Sequence, residues 1–279
     1  MPNPIADPLV EAVDTDAESP LVRIEATRAG AATVWIETFG AGGLDSLSVG
    51  ALHEALETLK GAKGVRIVFF RGRSGGRLGA EDAEALRLSE VLNEDDHRAD
   101  AQALARMLKE IADLPALTVA LVEGTAVGAG GAITAACDMA VAVADAQFGF
   151  PDVRRGLVLA VAAPFLIEAV GPRAARNLLA FGRTIDAAQA AQIGLVHQVV
   201  ADAAALDALQ GDLAAEVMAC APGALAQAKA VVHHLAGRRI DHGMIDELAR
   251  RQAQSRMGEE SKAGVAAVLE GRPAPWRAI

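Results

Sequence analysis

Residues 123–158 read EGTAVGAGGAITAACDMAVAVADAQFGFPDVRRGLV, and they carry most of the information about the fold. They follow the apolar run LTVALV at residues 117–122, which is typical of a strand buried on both faces. Glycines are frequent over residues 124–132, and the chain then enters an apolar helical stretch at residues 133–137. Glycine lets backbone N–H groups converge after a strand, and a helix N-terminus adds partial positive charge. The segment is therefore either an oxyanion-binding loop or a plain strand-to-helix turn.

An earlier glycine-rich loop, at residues 72–82, follows another buried apolar run at residues 65–71. In chain order, residues 72–82 are the first loop and residues 124–132 are the second loop. Two such loops side by side would supply two N–H donors to one oxyanion. Neither loop continues into the Gly-Lys-Ser/Thr of a phosphate-binding loop, and neither has the spacing of a dinucleotide-binding loop. The sequence also has no Gly-x-Ser-x-Gly elbow, which argues against a serine hydrolase.

Outward from these loops, strands and helices alternate, which predicts an α/β fold with right-handed crossovers. Four more short apolar runs are predicted strands: residues 21–25, 34–37, 139–144 and 195–200. Helical periodicity predicts a helix over residues 48–62, capped by Ser46 or Ser48. It predicts another over residues 100–114, which Pro115 ends.

The later part of the chain is mostly helical. Asp186 and Gln189 have the spacing of a capping box, and Gly194 suits the end of that helix. From residue 203 onward the pattern is helical, with breaks at residues 222–223 and 242–243. The chain is thus predicted to contain a flexible N-terminal arm, an α/β core and a C-terminal helical region, at residues 1–20, 21–202 and 203–279.

Composition excludes several classes of function. The 36 acidic residues outnumber the 26 Lys and Arg residues, for a formal net charge of -10, which argues against nucleic acid or an anionic membrane as main partner. Cys137 and Cys220 are too few for a disulfide framework, and no paired Cys/His spacing predicts a metal site. Interrupted apolar runs and an N-terminus without a signal-peptide pattern predict a cytoplasmic protein. Because the sequence has no Tyr, no phenol can act as a catalytic acid.

Residues 123–158 resemble the enoyl-CoA hydratase/isomerase family, also called the crotonase superfamily. That family typically shows Asn-Gly-x-Ala-x-Gly-Gly-Gly-x-Glu, then Cys-Asp, and then Phe-Gly-x-Pro-Glu. The matching residues here are Gly124, Ala126, Gly128, Gly130, Cys137, Asp138, Phe148, Gly149 and Pro151. Further along, GRTIDAAQAAQIGLVHQVV resembles the family's next signature, and ESKAGVAAVLEGRPAPW resembles its C-terminal helix and closing Arg-Pro-x-x-Trp. The resemblance extends over residues 21–276.

The resemblance implies a crotonase-like spiral of stacked ββα units, whose C-terminal helices help to build a homotrimer or a dimer of trimers. It implies an acyl-CoA thioester as substrate and no cofactor, since coenzyme A is part of the substrate. It also implies that two backbone N–H groups bind the thioester oxygen. By position these belong to Ala80 in the first loop and Ala129 in the second. Because the donor is a backbone group, an alanine can supply it.

The same correspondence implies substrate contacts beside the two N–H groups, at Leu78, Gly79, Glu81, Gly128 and Gly130. The first loop departs from the family's Phe-x-Ala-Gly-x-Asp-Leu, because Gly76-Arg77-Leu78 replaces its aromatic and small residues. Arg23 and Arg28 flank the first strands, where relatives place basic residues near the CoA phosphates. Surface charge explains these two arginines equally well. Lys262 and Arg272 are weaker candidates for the same role.

The acids depart most from the family pattern. Hydratases of the family use two glutamates to hold and activate one water. Here the first position is Ala132, which cannot transfer a proton, and the second is Asp152, which is one methylene shorter. A carboxylate must lie within hydrogen-bond reach of the proton it moves, or one water away. We expect Asp152 to move the proton; the alternative is an ion pair with Arg154 or Arg155.

The sequence therefore predicts an acyl-CoA enzyme of the hydratase/isomerase type, with an oxyanion hole that stabilises a thioester enolate. A single acid at the second position also resembles the family's 3-enoyl/2-enoyl isomerases, which move one proton between two carbons. A third hypothesis is a catalytically weak paralogue that binds acyl-CoA, because the first glutamate is missing.

Other polar residues are weaker candidates. A substitute acid could come from the helix start after the first loop, at Glu81, Asp82 and Glu84. His97 is expected in a mobile surface segment, and His197 is expected to be structural. Contacts with solvent or other subunits are expected for His233, His234 and His242. Cys137 reads as a buried, inert thiol.

Overall fold

The computed structural model describes residues 21–28, 30–37, 44–73, 76–79, 87 and 90–277. The predicted N-terminal arm lies outside them, as do Ala80, Glu81, Asp82 and Glu84. The strands are β1 (Val22–Arg28), β2 (Ala31–Ile36), β3 (Ile67–Gly72), β4 (Leu117–Val122), β5 (Thr125–Val127), β6 (Met139–Val143), β7 (Gln147–Gly149), β8 (Thr184–Asp186) and β9 (Gln198–Val200). The helices are α1 (Ser46–Gly61), α2 (Glu94–Asp113), α3 (Ala129–Ala136), α4 (Ala163–Phe181), α5 (Ala187–Gln192), α6 (Ala203–Met218), α7 (Pro222–Leu235), α8 (His242–Met257) and α9 (Glu259–Leu269). Short 3-10 helices lie at Pro151–Arg155, Ala160–Ala162 and Pro275–Arg277.

The main sheet has the strand order β1-β2-β3-β4-β6-β9. β1 is antiparallel to β2, and each following pair is parallel. This confirms the α/β class that the alternation of strands and helices predicts. β3 is buried along its whole length, including Phe69 and Phe70, as its apolar sequence predicts. A smaller sheet, in the order β5-β7-β8, contains part of the second glycine-rich loop.

The core forms where the helices pack on the main sheet. On α1, Leu52, Ala55, Leu56 and Leu59 are buried, which confirms the face that helical periodicity predicts. These side chains join one apolar cluster with residues of α2, α3 and the central strands. No helix among the described residues is both long enough and apolar enough to span a bilayer.

Helix α2 begins six residues earlier than predicted. Its N-cap is Asn93, whose side chain accepts from the backbone N–H groups of Asp95 and Asp96 at 2.8 and 3.1 Å. The early turns have exposed polar residues and therefore lack an apolar stripe, so periodicity could not detect them. His97 is exposed, as expected of a surface residue, but it belongs to the first turns of α2.

Other helix boundaries agree more closely with the predictions. The capping box of Asp186 and Gln189 is confirmed, and Gly194 adopts a φ of +84° just after α5. The cap of α1 is Asp45, which accepts from both the N–H and the hydroxyl of Ser48, so the predicted serine cap is wrong. Helices follow from Ala203 onward, although the division into core and helical region stays a prediction.

Candidate active site

The two glycine-rich loops lie against each other like neighbouring strands. Gly124 donates its N–H to the carbonyl of Gly76 at 3.1 Å, and Leu78 donates to Thr125 at 3.0 Å. Val127 then donates to the carbonyl of Gly79 at 3.1 Å. The parallel pairing of β3 and β4 explains this arrangement, since both loops leave the same edge of the sheet.

The closest approach of the loops is between Gly79 and Gly130. A Cβ on Gly79 would lie 2.8 Å from the nitrogen of Gly130, and a Cβ on Gly130 would lie 2.6 Å from the nitrogen of Gly79. Both positions therefore require glycine. Ala80 follows Gly79 and Ala129 precedes Gly130 in the sequence, so this contact brings together the segments that carry both expected N–H donors. Ala80 itself lies outside the described residues, and its donor role stays a prediction.

Ala129 is the first residue of α3. Its N-cap, Gly128, has a φ of +61° and makes no side-chain cap hydrogen bond. The N–H of a first helical residue has no acceptor within its own helix, and the helix dipole concentrates partial positive charge there. Ala129 is therefore placed to donate to an anionic oxygen outside the helix.

Asp152 lies in the 3-10 helix that follows β7. Two contacts hold this segment against the start of α3. Gly128 donates its N–H to the carbonyl of Gly149 at 2.9 Å. In addition, the ring of Phe150 packs so closely on Gly131 that a Cβ there would lie 2.8 Å from the ring. Asp152, two residues beyond Phe150, thus belongs to the same region as the second loop.

The carboxylate of Asp152 is only partly paired. Its side chain is 20% exposed, and Oδ1 lies 3.8 Å from Nη2 of Arg155. Oδ2 is buried and has no hydrogen-bond partner among the described residues. A buried acceptor without a partner is costly, so an unsatisfied oxygen here indicates a site for a donor from a bound molecule or water. The ion-pair alternative accounts for one oxygen and leaves the other available.

The position of the missing first acid is enclosed. Ala132 is on α3, one turn from its start, and has no exposed surface. Leu78 is likewise fully buried, so a direct substrate contact by its side chain stays a prediction.

Of the two arginines expected near the CoA phosphates, Arg23 forms an ion pair with Glu25 beside Trp35. The side chain of Arg28 lies outside the described residues.

The remaining basic candidates have partners at the surface. Lys262 pairs with Glu259 at 2.6 Å, and Arg272 pairs with Glu270 at 2.5 Å. These local ion pairs account for the placement of both side chains without any contact to a CoA phosphate.

Three histidines and Cys137 have surroundings that fit a structural role. His197 accepts from the N–H of Ala140 at 3.1 Å through Nδ1, which supports its expected structural role. His233 and His234 lie near carboxylates, with Nε2 3.6 Å from Asp138 and 3.3 Å from Glu247 respectively. Burial raises the pKa of the Cys137 thiol well above its usual range, so the thiolate that reacts with electrophiles is disfavoured.

One surface group has the residue types of a metal site. Ligand atoms of His53, Glu57 and Glu110 lie within 4.8 Å of one another. The ammonium group of Lys60 lies 2.5 Å from Glu57 and 3.7 Å from Glu110. Its hydrogen bond holds the pKa of Glu57 below the usual range and raises the pKa of Lys60. A cation is therefore already paired with both carboxylates, which disfavours a metal ion there.

The sequence patterns did not predict two charged networks around the strands that lead into the loops. Arg71 is the second-last residue of β3 and is 6% exposed, and it pairs with Glu123, the residue before the second loop. Asp138 accepts from the N–H of Thr118 and from Lys229 of α7. A charged residue inside an otherwise apolar strand pattern was the available signal for Arg71, because such a charge needs a partner when buried.

Known proteins share this architecture. The family described as Enoyl-CoA hydratase/isomerase matches residues 44–278. A Thermus thermophilus protein, named provisionally as an enoyl-CoA hydratase, is 34% identical over 224 residues, covering 80% of this chain and 87% of that protein. The solved structure of Pseudomonas aeruginosa AtuE has a TM-score of 0.86 at 28% identity, covering 92% of this chain and 99% of that one. An enoyl-CoA hydratase from Shewanella pealeana has a TM-score of 0.85 at 26% identity, with 92% and 96% covered. The chain therefore has the crotonase fold and belongs to the Enoyl-CoA hydratase/isomerase family of enzymes.

Proposed function

We propose that this chain processes acyl-CoA thioesters through an enolate, which the backbone N–H groups of Ala80 and Ala129 stabilise. Asp152 is the single carboxylate that moves the proton. The observation that carries the proposal is the buried Oδ2 of Asp152, which has no partner among the described residues and lies in a segment fixed to the start of α3.

The oxyanion hole supplies the electrostatic part of the mechanism. A thioester oxygen gains negative charge when the adjacent carbon loses a proton. Two N–H donors aimed at that oxygen stabilise the enolate more than the neutral thioester, and this difference lowers the barrier. The close contact of Gly79 and Gly130 supports the proposal, since it holds the two donor-bearing segments at van der Waals distance.

Asp152 supplies the proton transfer. Its carboxylate accepts a proton from the substrate carbon, directly or through one water, and returns it to another carbon or gives it to a leaving hydroxyl group, which departs as water. No further cofactor is needed for this step, because the thioester itself makes the carbon acidic.

A pure 3-enoyl/2-enoyl-CoA isomerase is the second candidate. The enclosed methyl of Ala132 favours it, because a hydratase of the two-glutamate type needs a second carboxylate to activate water. Isomerisation needs one base that removes a proton from one carbon and returns it to another. Asp152 alone can do both parts.

The test is turnover on a panel of 2-enoyl-, 3-enoyl- and 3-hydroxyacyl-CoA thioesters, followed by mass spectrometry and chromatography. Hydration adds the mass of one water, and dehydration removes it. Isomerisation leaves the mass unchanged and moves the double bond. Binding of the thioesters without any turnover would overturn the enzymatic proposal and leave the acyl-CoA-binding paralogue.

We also propose that the chain assembles as a homotrimer or a dimer of trimers. Exposed apolar side chains on α9 support this, since Val265, Val268 and Leu269 are 56%, 80% and 82% exposed. Neighbouring apolar side chains of this size commonly mark an interface. Light scattering of the purified protein tests the assembly, and a monomeric mass would contradict it.

A further inference from the structure

A buried arginine, Arg71, connects the positions at which the two glycine-rich loops leave the main sheet. Arg71 is the residue before Gly72, where the first loop begins, and its Nε donates to the carboxylate of Glu123, the residue before the second loop. The guanidinium also lies 5.1 Å from the centre of the Trp35 ring. Arg71 therefore fixes Glu123 from behind the loops, in a place with little access to water.

The same guanidinium has two partners on α6. Nη1 donates to Asp207 at 2.5 Å and to Gln210 at 3.2 Å, and Gln210 donates in turn to Thr33 at 2.9 Å. These contacts hold Arg71 in one orientation, since its donors point in fixed directions. Unlike Glu123, Asp207 is on a helix and lies outside both loops.

Glu123 lies directly beneath the first loop. Gly76 has a φ of +66°, and a Cβ there would lie 2.2 Å from the Cβ of Glu123. The next residue, Gly124, donates its N–H to the carbonyl of Gly76 at 3.1 Å. This contact is the first of the pairing that continues through Leu78 and Thr125 to Gly79 and Val127.

We propose that Glu123, held by Arg71, is a positioning residue that sets the register of the two loops and thereby aims the oxyanion-hole N–H groups. This inference rests on the proposed function. In a strand-like pairing the register determines which backbone groups face each other. A shift of the pairing where the loops leave the sheet therefore displaces the N–H donors further along the loops. A misplacement of 1 Å near reacting atoms can lower a rate by about 10²-fold.

The experiment compares three variants: Glu123→Ala, Glu123→Gln and, as a matched control, Asp207→Asn. Glu123→Gln and Asp207→Asn each remove one carboxylate charge from Arg71, but only position 123 contacts the loops. The probes are acetoacetyl-CoA, which can bind as an enolate, and butyryl-CoA, which remains a neutral thioester. Affinities are measured by calorimetry, and ultraviolet absorbance reports the bound enolate. Thermal unfolding identifies variants that are not folded.

Glu123→Ala is expected to weaken acetoacetyl-CoA binding by about tenfold or more and to reduce the enolate absorbance, because misaimed donors lose part of their electrostatic stabilisation. Butyryl-CoA affinity changes little, and kcat falls more than KM rises. Glu123→Gln keeps the shape of the side chain and is expected to cause a smaller loss of acetoacetyl-CoA affinity. Asp207→Asn retains the wild-type preference for acetoacetyl-CoA.

Three results separate the possible failures. If the wild-type protein binds both probes equally and without enolate absorbance, the oxyanion hole of the proposed function is wrong. If the wild type prefers the enolate and folded Glu123 variants keep that preference, the positioning role is wrong. Equal losses in Glu123→Gln and Asp207→Asn would also overturn it, because they would assign the effect to the Arg71 network as a whole.

Discussion

Ala132 is a methyl group at the position where two-glutamate hydratases of the family carry their first carboxylate. The structure gives this methyl no exposed surface, and its helix packs against both α2 and α4. Asp152 has the opposite character, with one oxygen buried and without a partner among the described residues. The chemistry that we propose for the site thus depends on one acid that is present and one that is absent.

Ala132→Glu is expected to lower the free energy of unfolding by about 2–4 kcal/mol, because a larger side chain overpacks a filled region and its carboxylate loses water. Chemical denaturation measures the change. Ala132→Gln has nearly the same volume without the charge and is expected to cost less. Wild-type stability in Ala132→Glu would contradict the enclosed environment, and a gain of hydratase activity would then show that the pocket reaches residue 132.

Ala129→Gly is expected to remain active, with kcat within about threefold of the wild type on short acyl chains. The substitution keeps the backbone N–H, whereas loss of an oxyanion donor typically costs about 10²–10³ in rate. Removal of the methyl is expected to favour bulkier acyl chains. Steady-state kinetics on a series of chain lengths checks this, and a loss of about 10² or more would mean that the methyl itself is required.

At the scale of the elements, the two loops matter as a pair. Their contact at Gly79 and Gly130 leaves no room for a side chain on either residue. Gly50 on α1 differs in this respect, because a Cβ there meets no atom within 4 Å.

Gly130→Ala is therefore expected to lower turnover by about 10² and to destabilise the protein by about 1–3 kcal/mol, since the new methyl pushes the loops apart. The matched control Gly50→Ala is expected to stabilise the protein by about 0.5–1 kcal/mol without affecting turnover. Kinetics and thermal unfolding of both variants provide the comparison. Full activity in Gly130→Ala would contradict the importance of the close contact.

Much of the fold could be predicted from local sequence. The bounds of β4, the buried face of α1 and the capping box of α5 follow from apolar patterns and side-chain chemistry in short windows. The early turns of α2 could not be found in this way, because polar exposed residues leave no apolar period. Asp45 was missed as the cap of α1 because the neighbouring serines fit the same rule.

The site was less predictable than the fold. The family resemblance is what assigns roles to Asp152, Ala129 and Ala132, and these roles stay predictions. The contact of Gly79 with Gly130 and the pairing of Arg71 with Glu123 join residues about 50 positions apart. Such contacts depend on the pairing of β3 with β4, which a pattern within one segment cannot specify.

At the scale of the whole molecule, a buried ion pair joins the C-terminal helices to the main sheet. Lys229 of α7 lies 2.6 Å from Asp138 and also donates to the carbonyl of Ala116 at 3.0 Å. Its side chain is 5% exposed. This pair holds α7 against the strands that lead into the second loop.

Lys229→Ala is expected to destabilise the protein by about 3–5 kcal/mol, because it leaves the carboxylate of Asp138 in a half-buried place without its ammonium partner. Lys262→Ala removes an exposed lysine from a surface pair and is expected to change stability by less than about 1 kcal/mol. Urea unfolding of the two variants measures the difference. Equal effects would mean that the Lys229 pair does not secure α7.

Turnover of Asp152→Asn, measured beside the wild type on the acyl-CoA panel, tests the central claim most directly. Asp145→Asn, an exposed substitution between β6 and β7, is the matched control and is expected to behave as the wild type. Asp152→Asn is expected to lower turnover by about 10²–10⁴-fold, the usual contribution of general acid–base catalysis, while butyryl-CoA affinity changes little. An Asp152→Asn protein with full activity would contradict the assignment of proton transfer to Asp152.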